Sequence, residues 1–286
     1  MHWQTSRFCI DLAWPVVMGV VNVTPDSFSD GGHHLDPAQA LRRCEQLIAE
    51  GAALLDIGAE STRPGASMPS PGLEWARLQP VLSAAVTFGV PVSVDTSTPM
   101  VMQRALELGA DVINDVRAFV RPGAVQALAA HPAAGACLMH MRGEPGVMQA
   151  DPVYADVVSE VCDFLRARQQ ALRDAGIADG RIVLDPGIGF GKTAGHNLQL
   201  LRRQRDLLAL GRPLLVGWSR KSTLGILTGR PVGERRAASV AAALLAAQRG
   251  ARVLRVHDVA ATVDALRVWQ AVAANDDDDP REGNER

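Results

Sequence analysis

The sequence predicts an α/β protein, a single (β/α)8 TIM barrel with its active site at the C-terminal ends of the strands. Its 286 residues are close to the roughly 250 residues typical of this barrel. Short apolar segments alternate with segments that have helical spacing. This alternation requires parallel strands with right-handed crossovers, and eight nearly continuous apolar strands favour a closed barrel over an open sheet.

The apolar segments have the length of β-strands, and each ends in polar residues. They are residues 16–24, 53–61, 91–97, 111–116, 136–141, 182–187, 213–219 and 253–258. Apolar residues return every three or four positions in 38–50, 153–175 and 237–248, which predicts helices there. The segment 8–13 precedes the first barrel strand and is a candidate to close the bottom of the barrel.

A capping side chain followed by proline is typical of the first turn of a helix. The chain contains three such pairs between predicted strands, namely Asp36-Pro37, Thr98-Pro99 and Asp151-Pro152. We therefore expect a helix to start at each pair. No linker or break in composition divides the chain, so we predict one barrel domain over residues 1–274. Residues 275–286 are polar and acidic at their start, which predicts a flexible tail.

Composition excludes several classes of function. The formal net charge is -2, so the sequence lacks the broad basic field that nucleic-acid binding requires. The four cysteines form no C-x-x-C pair, which argues against a zinc site or a disulfide framework. There is no secretory signal and no apolar run of about 20 residues. We therefore expect no membrane partner and a cytoplasmic location.

Polar residues gather at the predicted strand ends, which in these barrels form the face that carries the active site. They are Asn22 and Asp26; Glu60 to Arg63; Asp95; Asn114 and Asp115; His140; Asp185; Ser219 to Ser222; and Arg255, His257 and Asp258. Buried charges are costly unless paired, so this many polar strand ends predict a functional site. For Asp56, Asp111 and Asp115 the alternative is that they cap loops or accept hydrogen bonds from backbone amides.

Two basic clusters follow the seventh and eighth strands, where these barrels commonly hold phosphate. The first is Ser219 to Ser222 and the second contains Arg255 and His257. Their hydroxyls and guanidinium groups can supply charge-assisted hydrogen bonds to an anion. The alternative for Arg220 is that it is a solvated surface base.

The stretch 185–193 (DPGIGFGKT) resembles the end of a P-loop but lacks the earlier glycine, because Pro186 stands there. We interpret it as a wide loop that exposes Asp185 beside Phe190. An ionised carboxylate accepts two parallel N–H bonds, so Asp95, Asn114 and Asp185 suit the amide-amidine edge of a guanine-like ring. These residues by themselves indicate a planar heterocycle bearing a phosphate, and they leave the use of a metal open.

Eight segments, each at a strand end, resemble the dihydropteroate synthases, the pterin-binding barrel family. They are 18–32 (MGVVNVTPDSFSDGG), 60–65 (ESTRPG), 93–97 (SVDTS), 113–116 (INDV), 139–141 (MHM), 184–192 (LDPGIGFGK), 219–222 (SRKS) and 255–259 (RVHDV). The resemblance implies a transferase of folate biosynthesis that condenses 6-hydroxymethyl-7,8-dihydropterin pyrophosphate with 4-aminobenzoate, and it covers nearly the whole barrel.

The resemblance also implies roles for individual residues. Asp95, Asn114, Asp185 and Lys221 would bind the pterin ring, between apolar walls formed by Met139 and Phe190. Asn22, Arg63, Arg255 and His257 would hold the pyrophosphate with Mg²⁺, and Asn22 would be the protein ligand to the metal. Thr62, Arg63, Pro64, Phe190, Lys221 and Ser222 would frame the aminobenzoate. The catalytic set is Asn22, Arg63, Asp95, Lys221, Arg255 and His257.

The resemblance further implies a homodimer and a target of sulfonamides. Ala59 and Trp218 depart from the family pattern, and neither residue carries chemistry. Residues 26–34 and 61–72 are rich in glycine, serine and proline, and we interpret them as lids over the site. Two alternative functions are a pterin-dependent methyltransferase and a non-catalytic pterin-binding relative.

Overall fold

Eight parallel strands close into a barrel in the computed structural model, which describes residues 1–24, 36–60, 68–143 and 152–276. The strands, with an antiparallel hairpin first, are β1 (His2–Gln4), β2 (Cys9–Asp11), β3 (Val16–Asn22), β4 (Leu54–Gly58), β5 (Val92–Asp95), β6 (Val112–Asp115), β7 (Gly135–Met139), β8 (Ile182–Asp185), β9 (Leu214–Val216) and β10 (Ala251–Val256). Strands β3 to β10 follow one another around the barrel, and β10 pairs with β3. The predicted fold class is confirmed.

Helices connect successive barrel strands on the outside. They are α1 (Pro37–Ala49), α2 (Pro71–Ala85), α3 (Pro99–Leu108), α4 (Ala124–Ala129), α5 (Val157–Asp174), α6 (Ala194–Arg202), α7 (Gln204–Leu207), α8 (Ser222–Thr228), α9 (Arg236–Gln248) and α10 (Val259–Asp276). Helix α10 ends two residues inside the predicted tail, the rest of which lies outside the described residues. In the described part of the chain, no helix combines the length and the apolar character needed to cross a membrane.

The three predicted helix starts have different outcomes. Asp36 caps α1 as expected, because its side chain accepts a hydrogen bond from the backbone N–H of Ala38. Thr98 precedes α3 but makes no capping bond. Its hydroxyl donates instead to the buried carboxylate of Glu74, 2.6 Å away, which also accepts from the hydroxyl of Thr96.

The helix start predicted at Asp151-Pro152 is wrong. Helix α5 begins at Val157, and its cap is Asp156, which accepts from the backbone N–H groups of Val158 and Ser159. An acceptor in this position satisfies two of the free N–H groups of the first turn. A proline at the start is therefore not required, and the predicted helix was four residues too long at its N-terminus.

The N-terminal hairpin closes the bottom of the barrel, as expected for segment 8–13. Trp3 and Leu12 are fully buried, and the indole N–H of Trp3 donates to the carbonyl of Arg181 at 2.9 Å. The hairpin packs with apolar residues that point to the barrel axis, which are Met18, Leu54, Val112, Cys137, Val183, Leu215 and Val253. A second and larger core fills the space between the barrel and the helices.

Two of the three ambiguous aspartates support the backbone. Asp111 accepts from Arg7 at 2.6 Å and from the backbone N–H of Val92 at 2.9 Å. Asp115 accepts from the backbone N–H groups of Arg117 and Phe119 at 2.8 and 2.7 Å. For both residues the alternative interpretation, a carboxylate that satisfies backbone amides, is confirmed.

Replacing Trp3 by alanine should destabilise the barrel, because a fully buried indole leaves a cavity and an unpaired carbonyl. We expect the free energy of unfolding to fall by about 3–5 kcal/mol, measured by urea denaturation. The control is Trp14→Ala, since Trp14 is 40% exposed. A Trp3 variant that loses no more stability than the control would contradict the proposed closing role of the hairpin.

Candidate functional site

A cavity of about 450 Å³ opens at the C-terminal end of the barrel. Nine of the residues predicted for the site line it, namely Asn22, Asp95, Asn114, Met139, Asp185, Phe190, Lys221, Arg255 and His257. Ser222 is the exposed first residue of α8, next to Lys221, and does not line the cavity. The predicted residues Thr62, Arg63 and Pro64, and both predicted lids in whole or in part, lie outside the described residues.

The regular alternation of strand side chains explains why these residues meet. Leu54, Val112, Val183 and Val253 belong to the apolar plug at the barrel axis. Two positions further along each strand, on the same face, come Asp56, Asn114, Asp185 and Arg255. The cavity floor is therefore the polar layer directly above the plug.

Arg255 is the centre of a charged network in the barrel. Its Nε donates to Asp56 at 2.6 Å, and its Nη2 donates to Asp95 at 2.8 Å. Asp56 also accepts from the hydroxyl of Ser93 at 2.6 Å and from the amide of Asn114 at 3.1 Å. Because every oxygen of Asp56 has a partner, the guanidinium is held in place by a fully satisfied buried carboxylate.

Asp56 is a site residue that the sequence interpretation missed. We considered it only as a residue that caps a loop or accepts from backbone amides, but it lies within β4 and is fully buried. The alternation of side chains along a strand could have identified it, because Asp56 lies on the same strand face as the plug residue Leu54. A carboxylate on the inner face of a barrel strand requires a cation or several donors.

Burial changes the proton affinity of two carboxylates that line the cavity, Asp95 and Asp185. Burial raises the pKa of Asp95 to about 7, while Arg255 opposes this effect and Asp56 adds to it. Burial also raises the pKa of Asp185 to about 6, against the opposing hydrogen bond from the backbone N–H of Gly187. Both groups can therefore exchange a proton near neutral pH.

The loop that follows β8 covers Asp185 more than we expected. We predicted an exposed carboxylate, but Asp185 is 5% exposed. Its Oδ1 accepts from the N–H of Gly187 at 2.7 Å, so the loop folds back over the strand end. The carboxylate faces only the cavity.

Lys221 and Phe190 form one wall of the cavity. The Nζ of Lys221 lies 4.1 Å from the centroid of the Phe190 ring, a cation–π contact. Burial lowers the pKa of Lys221 to about 8, and the charge of Arg255 adds to this effect. The wall therefore combines an aromatic face with a cation.

His257 follows β10, the strand next to β9, and its imidazole is neutral. Burial and the charge of Arg255 lower its pKa to about 3. Ser219 Oγ accepts from the backbone N–H of His257 at 3.1 Å and lies 3.0 Å from its Nδ1. The hydroxyl can therefore donate to Nδ1, which leaves Nε2 as a neutral N–H donor.

Arg220 is neither a free surface base nor a free phosphate ligand. It forms a bidentate pair with Asp258, at 2.9 and 3.2 Å, and has a left-handed φ of 60°. It borders the main cavity and a second one of about 490 Å³, which adjoins the first at Asn22 and His257. Both interpretations of Arg220 therefore need correction, because Asp258 neutralises its charge.

His140 is buried behind the cavity wall rather than in it. Its Nδ1 lies 2.9 Å from the Nζ of Lys192. Burial and the neighbouring charge of Lys192 lower the pKa of His140 to about 2, so the ring is neutral and Nδ1 accepts. Sequence analysis assigned no role to Lys192, although a lysine in a glycine-rich stretch that fails as a P-loop is itself a signal.

Glu60 and Arg117 form a buried pair at the cavity rim. The Oε1 of Glu60 lies 3.2 Å from the Nη2 of Arg117, and both side chains are 6% exposed. Glu60 is the first residue of the segment 60–65 (ESTRPG), which resembles the family motif. Glu60 was predicted as a strand-end residue. Arg117 was missed, because nothing in DVRAFV indicates which loop its side chain would reach.

Asn22 offers a free amide oxygen to the cavity. Among the described residues, its side chain has no hydrogen-bond partner, and no group of three or more histidine, cysteine, aspartate or glutamate residues is placed to hold a metal. Magnesium commonly keeps several waters and takes one or two protein ligands together with substrate phosphates. The residues present therefore suit a metal that arrives with a phosphorylated substrate.

Comparisons with known proteins agree with this site. Residues 18–257 match the model of the pterin binding enzyme family. A dihydropteroate synthase of Neisseria meningitidis serogroup B is 54% identical over 96% of this chain and 98% of its own length.

Solved structures give the same result. The Xanthomonas albilineans dihydropteroate synthase with 4-aminobenzoic acid is 52% identical, with a TM-score of 0.88 over 93% of this chain and 96% of that one. The Burkholderia cenocepacia enzyme complexed with 7,8-dihydropteroate is 50% identical, with a TM-score of 0.89 over 97% and 98%. The chain therefore belongs to the pterin binding enzyme family, among the dihydropteroate synthases.

Proposed function

We propose that the chain condenses 6-hydroxymethyl-7,8-dihydropterin pyrophosphate with 4-aminobenzoate, giving 7,8-dihydropteroate and pyrophosphate. The observation that carries the proposal is that one cavity joins two carboxylates, Asp95 and Asp185, to the cations Lys221 and Arg255. The carboxylates and Lys221 suit a heterocycle, and Arg255 suits a departing diphosphate. Relatives of nearly the same length bind 4-aminobenzoic acid and 7,8-dihydropteroate.

The pterin ring would lie over the polar floor of the barrel. Asp185 accepts two parallel N–H bonds from an aminopyrimidine edge, and Asn114 supplies an amide on the neighbouring strand. Met139 supplies an apolar surface for the ring face. Because these side chains are on barrel strands, little motion is needed to bind the ring.

Arg255 would stabilise the charge that develops on the diphosphate. The described contact of Asp95 with Arg255 uses Oδ2, so Asp95 can accept a hydrogen bond from the pterin through Oδ1 while Asp56 also holds the guanidinium. Such a preorganised donor is more effective than water, because it needs no reorganisation during the reaction. His257 adds a neutral N–H donor on the same side.

The residues present suit Mg²⁺ at Asn22, where the ion would neutralise charge on the pyrophosphate. The C–O bond between the pterin methylene and the diphosphate breaks, the amine nitrogen forms the new C–N bond, and that nitrogen loses one proton. An aromatic amine is neutral near pH 7, so attack needs no strong base. The assignments of Arg63, Thr62, Pro64 and Ser222 to pyrophosphate and aminobenzoate stay predictions from the resemblance.

Release of pyrophosphate that requires both substrates and Mg²⁺ is the direct test. Binding of the pterin without release would indicate a non-catalytic relative, and transfer of a methyl group would indicate a pterin-dependent methyltransferase. A cytoplasmic homodimer is part of the proposal on the family resemblance, and analytical ultracentrifugation checks the dimer.

Arg255→Ala should lower turnover by roughly tens- to thousands-fold, in line with about 2–4 kcal/mol for one charge-stabilising donor. The measurement is kcat from pyrophosphate release. The control is Arg252→Ala, which removes an arginine near the start of the same strand that donates to the carbonyl of Ala13. Turnover of the Arg255 variant within about twofold of wild type would remove it from this role.

Asp185→Asn should weaken pterin binding by about 10- to 100-fold, because the amide loses one acceptor and the negative charge. Isothermal titration calorimetry measures the pterin dissociation constant. Asp163→Asn is the matched control, since its side chain is 74% exposed on α5. An equal dissociation constant in the Asp185 variant and the control would exclude the carboxylate from the pterin site.

Pterin affinity should depend on pH through the same carboxylate. Because the pKa of Asp185 is raised to about 6, the ionised acceptor is present above that pH and is lost as the pH falls through it. Binding should therefore weaken below about pH 6, by up to tenfold per pH unit for one proton. Calorimetry from pH 5 to 8 should show that Asp185→Asn reduces this slope, and the remaining slope belongs to Asp95, whose pKa is about 7. A slope that the substitution leaves unchanged would exclude Asp185 as its source.

A further inference from the structure

Lys192 is a buried cation for which the reaction has no use. It is 2% exposed, and its ammonium lies 3.0 Å from the carbonyl oxygens of Gly187 and Phe190. It also lies 3.3 Å from the carbonyl oxygen of His140 and 2.9 Å from the Nδ1 of the same residue. Within the described ranges it forms no ion pair with a carboxylate, and burial lowers the pKa of Lys192 to about 7, against the opposing charge of Asp185.

These contacts join two segments of backbone. Gly187 and Phe190 lie in the loop after β8, whereas His140 follows β7. The loop is packed so closely against the second segment that a Cβ at Gly187 would overlap the carbonyl oxygen of His140. A Cβ at Gly191 would overlap the carbonyl of Arg142 in the same way. Lys192 therefore lies between two backbone segments that pack in direct contact, and this packing fixes the position of the loop.

Two further hydrogen bonds hold the same loop from outside. The N–H of Gly189 donates to the side chain of Asn197 at 2.9 Å, and the hydroxyl of Tyr154 donates to the carbonyl of Gly191 at 2.8 Å. Every residue from 187 to 191 except Ile188 therefore has a polar backbone contact of this kind. The loop is a rigid part of the wall.

The side chain that this arrangement places in the cavity is Phe190. Lys192 binds the carbonyl of Phe190 itself, and the Phe190 ring supports Lys221 at 4.1 Å. The backbone of Asp185 is held differently, by the strand ladder opposite Met139 and by the N–H of His140, which donates to its carbonyl at 2.9 Å. Its carboxylate has one contact with the loop, the N–H of Gly187. Loss of Lys192 should therefore move the aromatic wall more than the strand that carries the carboxylate.

We propose that Lys192 is a positioning residue for the aromatic amine, which it serves by fixing the Phe190–Lys221 wall from behind. The inference rests on the proposed function, in which Phe190 and Lys221 contact both substrates. The pterin also has the strand residues Asn114, Met139 and Asp185, whereas this wall is the part of the predicted aminobenzoate site that lines the cavity among the described residues. Lys192 acts through the carbonyl of Phe190, so its loss should affect the amine more than the pterin.

The test compares the KM values of the two substrates. In Lys192→Met, the KM for 4-aminobenzoate should rise about tenfold, the equivalent of about 1.4 kcal/mol. The KM for the pterin pyrophosphate should stay within about twofold. The control is Arg181→Met, because Arg181 is also a buried cation that donates to carbonyls, those of Ala134 at 2.6 Å and His131 at 2.9 Å, but near the bottom of the barrel.

The control should lose stability without a change in either KM. An unchanged KM for 4-aminobenzoate in Lys192→Met would overturn the inference, and so would an equal rise in both KM values. Wild-type turnover is measured first. Its absence would refute the proposed function, whereas an active wild type with an unaffected variant would refute only the role of Lys192.

A milder pair of variants covers the case in which Lys192→Met fails to fold. Lys192→Gln keeps two N–H donors, and Tyr154→Phe removes only the bond to Gly191. Each should raise the KM for 4-aminobenzoate by about threefold, corresponding to partial loss of one hydrogen bond, with the pterin KM unchanged. If neither shows this selective rise, the loop contacts do not position the amine.

Discussion

The geometry of a barrel strand, in which every second side chain points to the axis, is the constraint on which the molecule depends. It places an apolar plug at the bottom and a polar layer two residues above it. Leu54 and Asp56 share one strand face in this way, as do Val253 and Arg255. The apolar layer stabilises the barrel, and the polar layer next to it on the same strands forms the cavity floor. The apolar plug, against which Trp3 packs, therefore also determines where the cavity floor lies.

The second constraint is electrostatic, since a buried arginine must have partners. Arg255 has two carboxylates, and only Asp95 faces the cavity. This division leaves Asp95 accessible to a ligand while Asp56 holds the guanidinium. Burial is the main reason that the pKa of Asp95 is raised; Arg255 opposes this effect and Asp56 adds to it.

The residues that bind the two proposed substrates are held in place in different ways. Hydrogen-bonded strands carry Asn114 and Asp185, whereas a loop carries Phe190. A loop has no inter-strand hydrogen bonds to define its position. In this loop buried polar contacts take their place, and the ammonium of Lys192 makes several of them. The position of the wall formed by Phe190 and Lys221 therefore depends on a few hydrogen bonds, whereas that of the cavity floor depends on the whole sheet.

The sequence alone determined the eight strands and nine of the cavity residues, because apolar periodicity and polar strand ends are local patterns and the strand ends of a closed barrel must converge. It also determined the family through its motifs. Only the tertiary structure decided that Thr98 binds Glu74, that Asp156 rather than Asp151 starts α5, and that Asp56 binds Arg255. The physical reason is that a polar side chain takes whichever partner lies within hydrogen-bond distance, and those partners come from distant parts of the chain.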